Sequence, residues 1–195
     1  MSIVIHEVSH GFAAYFLGDD TAKRQGRLTL NPIHHLDLFG SIIIPLIFIF
    51  SGTGYMFGWA KPVPFNPNNL RNRKWGTIIV ASAGIFANLI IAVIFGIGIR
   101  FALHFDVGSP ALLTISSVIV VINLALFVFN LVPIPPLDGS RILFSLLPRS
   151  AQAFADFVEQ YAIFILLGFI FFGWSYITPA ISFLFSLFTG ISIGV

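Results

Sequence analysis

The stretch ALLTISSVIVVINLALFVFNLVPIPPLDG, residues 111–139, decides how this chain is read. Residues 111–131 carry no charged side chain. As a helix rising about 1.5 Å per residue they would cross the roughly 30 Å hydrocarbon core of a bilayer. Pro133, Pro135 and Pro136 follow at once. Each lacks an N–H and restricts the residue before it, so a helix cannot run on through them. Unwound backbone at membrane depth is tolerated only where protein or water satisfies it. The run is therefore expected to line a cavity, and Asp138 stands directly behind it.

Working outward, the rest of the chain agrees. Of its 195 residues 57% are hydrophobic and only 9% are charged, where a soluble domain carries about 25% charged residues. The expectation is a single all-α polytopic membrane domain over residues 1–195, with the lipid bilayer as its surroundings. Residues 75–103 are long enough to span with tilt. They include the small run Ala81-Ser82-Ala83-Gly84, which lets a neighbouring helix approach, and Asn88, which needs a polar partner in lipid. Residues 2–17 form a third helix, stopped at Gly18-Asp19-Asp20. These three segments make the predicted helical core.

Residues 38–50 contain Pro45 and only about a dozen apolar positions, which favours a re-entrant element over a span. Lys23, Arg24 and Arg27 precede it; Lys61, Arg71, Arg73 and Lys74 follow it. With both basic clusters on the cytoplasmic side the element dips in and returns, and Gly52, Gly54 and Gly58 give it a flexible exit. In that orientation the ends of 2–17 and 111–131 meet near the cytoplasmic face. Beyond Asp138 come Arg141, Arg149, an amphipathic piece around Asp156 and Glu159, and apolar C-terminal helices from Tyr161 that Pro179 is expected to divide. Residues 1–5 are too short for a cleavable leader. The absence of cysteine excludes disulfides and thiolate ligands. No basic stripe with interleaved aromatics lies in a polar setting, so nucleic acid is not an expected partner.

The chemistry begins with His6-Glu7-Val8-Ser9-His10. On a helix, positions i and i+4 lie about 40° apart on one face. Two imidazoles at that spacing can hold one zinc ion, and Glu7 beside them can take a proton from water. Two helix histidines can also fall together by chance. In an apolar segment, however, a Glu and two His are costly unless they face a cavity and have partners. A catalytic zinc takes three protein ligands and keeps one position open. Asp19 and Asp20 lie in a turn, Asp37 in a polar loop, and Asp106 in the turn on the opposite side. Asp138 follows the span and its proline break, but Leu-Asp-Gly is also a common turn string. Spacing alone leaves both readings of Asp138 open. His34 and His35 adjoin Asn31-Pro32 and read as an interfacial loop pair; His104 reads as a solvated turn residue.

Over nearly its whole length the chain resembles the site-2 proteases, the intramembrane zinc metalloproteases. The resemblance rests on His-Glu-x-x-His at 6–10, on Gly26-Arg27-Leu28-Thr29-Leu30-Asn31-Pro32 and on Gly58-Trp59-Ala60-Lys61-Pro62-Val63-Pro64. It continues through Ala83-Gly84 with Asn88 to Asn130-Leu131-Val132-Pro133-Ile134-Pro135-Pro136-Leu137-Asp138-Gly139. The chain looks like the compact bacterial branch without a PDZ or CBS domain. The resemblance implies a zinc endopeptidase that cuts in or near the transmembrane segments of membrane-protein substrates. It implies one zinc per chain on His6, His10 and Asp138, Glu7 as general base, and Asn130 helping to hold the substrate strand. Residues 58–64 would lie near the substrate's way in. The implied location is the bacterial inner membrane, with the site opening toward the cytoplasm.

Two departures stand out. Ile85 follows Gly84 where the family usually has proline. The first motif also begins at residue 6, and 2–17 reaches about 24 Å, short of the roughly 30 Å core. Either the bilayer thins there or the helix is truncated at its start. Two other functions remain as alternatives. One is a membrane metal-ion carrier, which would need a polar path right across. The other is an inactive scaffold of the same fold, against which the intact Glu7 stands.

Overall fold

Helix α1 (Ser2–Phe16) ends where Leu17 leads into Gly18. Gly18 takes φ +110°, a conformation side chains disfavour. A computed structural model describes residues 1–52 and 58–192, so Gly54 of the expected exit lies outside the described residues. The single turn α2 (Thr21–Arg24) follows. Asp19, fully buried between the two, fastens this corner. It accepts hydrogen bonds from the Thr21 hydroxyl, from Asn66 N at 2.6 Å and from Asn69 Nδ2 at 2.8 Å. Arg71 N donates to Leu17 O at 3.0 Å beside it. The end of α1 is thereby tied to the loop some fifty residues on.

A 3-10 turn at Pro32–His35 and a π turn at Leu38–Ile43 lead into α3 (Ile44–Ser51). Pro45 stands in the first turn of α3, where a missing N–H is tolerated. No residue of α3 is buried. Trp59 N then donates to Gly40 O at 3.0 Å, and Ser41 Oγ to Trp59 O at 2.8 Å. The chain leaves and returns at one point, as a re-entrant element does.

Two helices are long and apolar enough to cross a membrane, α4 (Arg73–His104) and α5 (Pro110–Leu131). Each begins on a polar cap: the Asn72 side chain accepts from Trp75 N and Ser109 Oγ from Leu112 N. In lipid, apolar burial does not drive helices together, so small residues and polar bonds carry the packing. Helix α4 shows this directly. Its buried residues include every fourth position from 76 to 96: Gly76, Val80, Gly84, Asn88, Ala92 and Gly96. A side chain at Gly84 would meet the rings of His10 and His6, and one at Gly96 would meet Phe188. The opposite face, with Ile79, Phe86, Ile90, Ile94 and Ile97, is exposed and suits lipid. At 15 residues α1 is short of the crossing length.

The proline run breaks the helix as its chemistry requires. Residues between α5 and α6 (Asp138–Leu146) are non-helical, with a cis Pro135–Pro136 bond. The chain turns back so tightly that a Cβ on Gly139 would strike the carbonyls of Leu131 and Val132. Asp138 is thus the first residue of a helix rather than part of a simple turn. Next come α7 (Gln152–Gln160), α8 (Ala162–Phe172) and α9 (Trp174–Thr189). Helices α7 and α8 meet at 72° and count as a third span if taken together.

The expected division at Pro179 is corrected: Pro179 lies inside α9, and the interruption falls at Gly173. A proline in the second turn of a helix forfeits one main-chain bond. At Gly173 the Phe169 ring lies where a Cβ would be, which glycine alone allows. Ala92 and Ile99 of α4, Val120 and Leu124 of α5, and Ile177, Ile181 and Phe185 of α9 form the main apolar core.

Candidate metal centre

Three buried groups from distant parts of the chain meet where α1, α4 and α6 pack together. His6 and His10 lie one turn apart on α1, and Asp138 opens α6, where the helix dipole favours a negative charge. His6 Nε2 and His10 Nε2 are 3.0 Å apart, and each is 3.1 Å from Asp138 Oδ2. Among the described residues this is the one group of three or more His, Cys, Asp or Glu placed to share an ion.

The opposite nitrogens fix the imidazole tautomers. His10 Nδ1 donates to the Val80 carbonyl at 2.7 Å, and His6 Nδ1 to Asn88 Oδ1 at 2.6 Å. A carbonyl oxygen only accepts, so each Nδ1 carries its hydrogen and each Nε2 presents a lone pair. The Asn88 amide is oriented in turn, since its Nδ2 donates to Asn123 Oδ1 at 2.8 Å. Asn123 Nδ2 then donates to Ser2 Oγ and to Ile119 O. A polar chain thus runs from His6 through α4 into α5, and it satisfies the two amides that lie buried in apolar helices.

The donor set fits zinc. Two neutral imidazoles and one carboxylate are a familiar ligand set for that ion. Tetrahedral ligands at about 2.0–2.1 Å from zinc stand roughly 3.3 Å from one another, close to the separations here. Three ligand atoms this close together could share one cation. Outer hydrogen bonds of the kind made by Asn88 and Val80 are how metal-binding histidines are held.

Glu7 sits beside this group, half-buried, with its Oε2 accepting from Val63 N at 2.8 Å. Its other oxygen is free of that bond. Residues 58–64 thus run non-helically to Glu7. Asn130 lies in the last turn of α5, where its Nδ2 donates to Leu126 O at 2.9 Å. His34 is exposed, whereas His35 is 1% exposed with its Nε2 on Thr29 O; neither joins the cluster. His104 ends α4, exposed, with its ring edge-on to Phe105.

Sequence reading missed Asn123, Ser2 and the Val80 carbonyl. The rule that flagged Asn88 would have found Asn123, another amide inside an apolar span. A main-chain acceptor such as Val80 leaves no trace in side-chain chemistry.

Comparison with known proteins bears on the chain's family. The profile of peptidase family M50 matches residues 105–173, a stretch that includes Asp138 but not the His-Glu-x-x-His. The Bacillus subtilis protein named "Putative zinc metalloprotease YwhC" is 41% identical over 186 residues, covering 92% of this chain and 78% of that protein. The protein of the same description named Rip2 in Mycobacterium tuberculosis H37Rv is 31% identical over 168 residues, covering 86% of this chain and 62% of its own length. Its namesake in Mycolicibacterium smegmatis is 31% identical over 139 residues, 71% of this chain and 51% of that one. No solved structure matches the chain. With apolar helices of membrane-crossing length, a His-His-Asp cluster and relatives of this kind, the chain belongs to peptidase family M50, the site-2 protease family.

Proposed function

We propose that this protein is an intramembrane zinc endopeptidase that hydrolyses peptide bonds in or near the transmembrane segments of membrane-protein substrates. The observation that carries the reading is the convergence of His6, His10 and Asp138 beside Glu7 in a chain of this family. His6, His10 and Asp138 would hold a single zinc ion, leaving its fourth position for the reaction. Bound there, zinc supplies Lewis acidity that polarises the scissile carbonyl and acidifies water.

The chain's own groups do the rest. Asn88 and Val80 keep both imidazoles turned with Nε2 inward. Glu7, tethered through Oε2, offers its second oxygen to accept the proton of the attacking water and return it to the leaving amine. A carbonyl inside a substrate helix is tied to an N–H four residues on, so the substrate must be held extended to react. Asn130, the unwound backbone at Pro133–Pro136 and residues 58–64 are the polar groups available to hold it. The basic loops orient the site toward the cytoplasm, and the relatives' bacterial sources suggest the cell membrane.

Cleavage of a transmembrane peptide by the purified chain, with and without a zinc chelator, tests the reading. Cleavage should require zinc and vanish in Glu7→Gln while bound zinc stays constant. Asn130→Ala should slow it. Chelator-resistant cleavage would refute the zinc mechanism. Transport of zinc into vesicles without cleavage would favour the carrier alternative.

A further inference from the structure

Arg27 is a buried charge that the site's chemistry does not use. It is 8% exposed, and among the described residues it has no ion-pair partner. Burying a guanidinium without a counter-charge is costly unless its hydrogen bonds are strong. Two bonds, both from Nη2, go to main chain: one to Lys61 O at 2.8 Å and one to Pro62 O at 3.2 Å, while the buried Nε has no partner among the described residues.

The second carbonyl matters most. Pro62 C=O and Val63 N–H belong to one planar peptide unit, and in a trans unit they point in opposite directions. The sole cis bond among the described residues is Pro135–Pro136. The oxygen side of the unit therefore faces Arg27, and the hydrogen side donates to Glu7 Oε2 at 2.8 Å. One rigid plane stands between the guanidinium and the carboxylate. Val63 is also the single N–H in Pro62-Val63-Pro64, because proline has none. No neighbouring donor can replace it if the segment shifts by a residue.

Packing seats both ends of the arrangement on one spot. A Cβ at Gly11, one turn beyond Glu7 on α1, would lie 2.5 Å from Leu28 Cδ2 and 2.8 Å from Val63 Cγ1. Leu28 adjoins Arg27, so the neighbours of both clamp ends rest against the same glycine. On the far side Lys61 N donates to His35 O at 2.9 Å.

We infer that Arg27 is a positioning residue for Glu7, acting through the Pro62–Val63 peptide plane to set where the carboxylate stands. The inference rests on the reading of Glu7 as the base. It separates the role of Gly26-Arg27-Leu28 from that of a loop on the membrane surface.

The test uses the full chain in lipid nanodiscs with a transmembrane peptide substrate. In Arg27→Gln, kcat should fall roughly 10- to 100-fold, as misplacement of a catalytic group does, while KM stays within about twofold. Zinc per chain should be unchanged. Arg27→Lys, which keeps a donor and a charge, should recover part of kcat and guards against a folding failure. A second readout is independent of cleavage: the Val63 amide proton in valine-labelled protein, assigned by Val63→Ile. It should move upfield both in Arg27→Gln and in Glu7→Gln. If kcat and the Val63 resonance both match wild type in Arg27→Gln, the inference is overturned. It is equally overturned if kcat, zinc content and melting temperature all fall together while the resonance ignores Glu7→Gln, since that marks a purely structural residue. If wild type cleaves nothing but the resonance answers both substitutions, the peptidase reading fails and the clamp stands.

Discussion

At the scale of single residues, the site is a set of lone pairs aimed by their neighbours. Asn88 is the clearest case, because it touches His6 on one side and Asn123 on the other. Asn88→Ala should weaken zinc binding about 10- to 100-fold, the usual cost of losing a partner behind a metal ligand. Competition with a chelator of known affinity measures it, and unchanged affinity would show that Asn88 serves packing alone. The pairing of His6 with His10 was legible in the sequence because four-residue spacing on a helix is itself a geometric statement, whereas Glu7 was read only from its place as their neighbour. Asp138 was legible only as one of two possibilities: a carboxylate after prolines looks the same whether it turns outward or opens a helix. The Asn123–Ser2 end of the polar chain depends on how α1 lies against α5, which no local pattern encodes.

At the scale of elements, close approach and fastening decide the geometry. Helix α1 reaches α4 because Gly84 leaves room for two imidazoles. Gly84→Ala should raise intrinsic helix stability by about 1 kcal/mol. It should nevertheless lower zinc content, because its Cβ would lie 2.5 Å from His10 Nε2. Helical circular dichroism that holds while zinc falls would separate the two effects.

The corner after α1 carries a pH dependence. Burial works against the charge of Asp19, but hydrogen bonds from Thr21, Asn66 and Asn69 outweigh it and hold the carboxyl below its usual range. With the folded value lower than the unfolded one, the unfolded chain takes up the proton first on acidification. The stabilisation is therefore complete above the unfolded carboxylate value of about 4 and lost as pH falls through the folded one. Asp19→Ala should cost roughly 2–3 kcal/mol at neutral pH and flatten the acid side of the melting-temperature profile. An unchanged acid response would assign that response to another group. The main helices were legible because caps, glycines and prolines sit at their ends. The C-terminal break was not, since proline is the more conspicuous residue while the ring of Phe169 makes Gly173 the weaker point.

At the scale of the whole molecule, composition alone gave the class: a chain this apolar and this poor in charge needs lipid around it. The proposed orientation rests on the basic loops, and the absence of cysteine makes it directly testable. Single cysteines at Lys23 and Lys74 should react with an impermeant thiol reagent from the cytoplasmic side, and one at Ser109 from the other. The reverse pattern would invert the molecule and its site. What joins all three scales is the proposed metal site shared between the opening helix and the residue behind the proline break. X-ray absorption at the zinc edge, on the purified chain with its zinc content measured in parallel, tests that most directly. The account predicts one zinc per chain with two imidazole nitrogens and a carboxylate oxygen in its shell, and loss of that zinc in Asp138→Ala. Stoichiometric zinc with an unaltered shell in Asp138→Ala would contradict it.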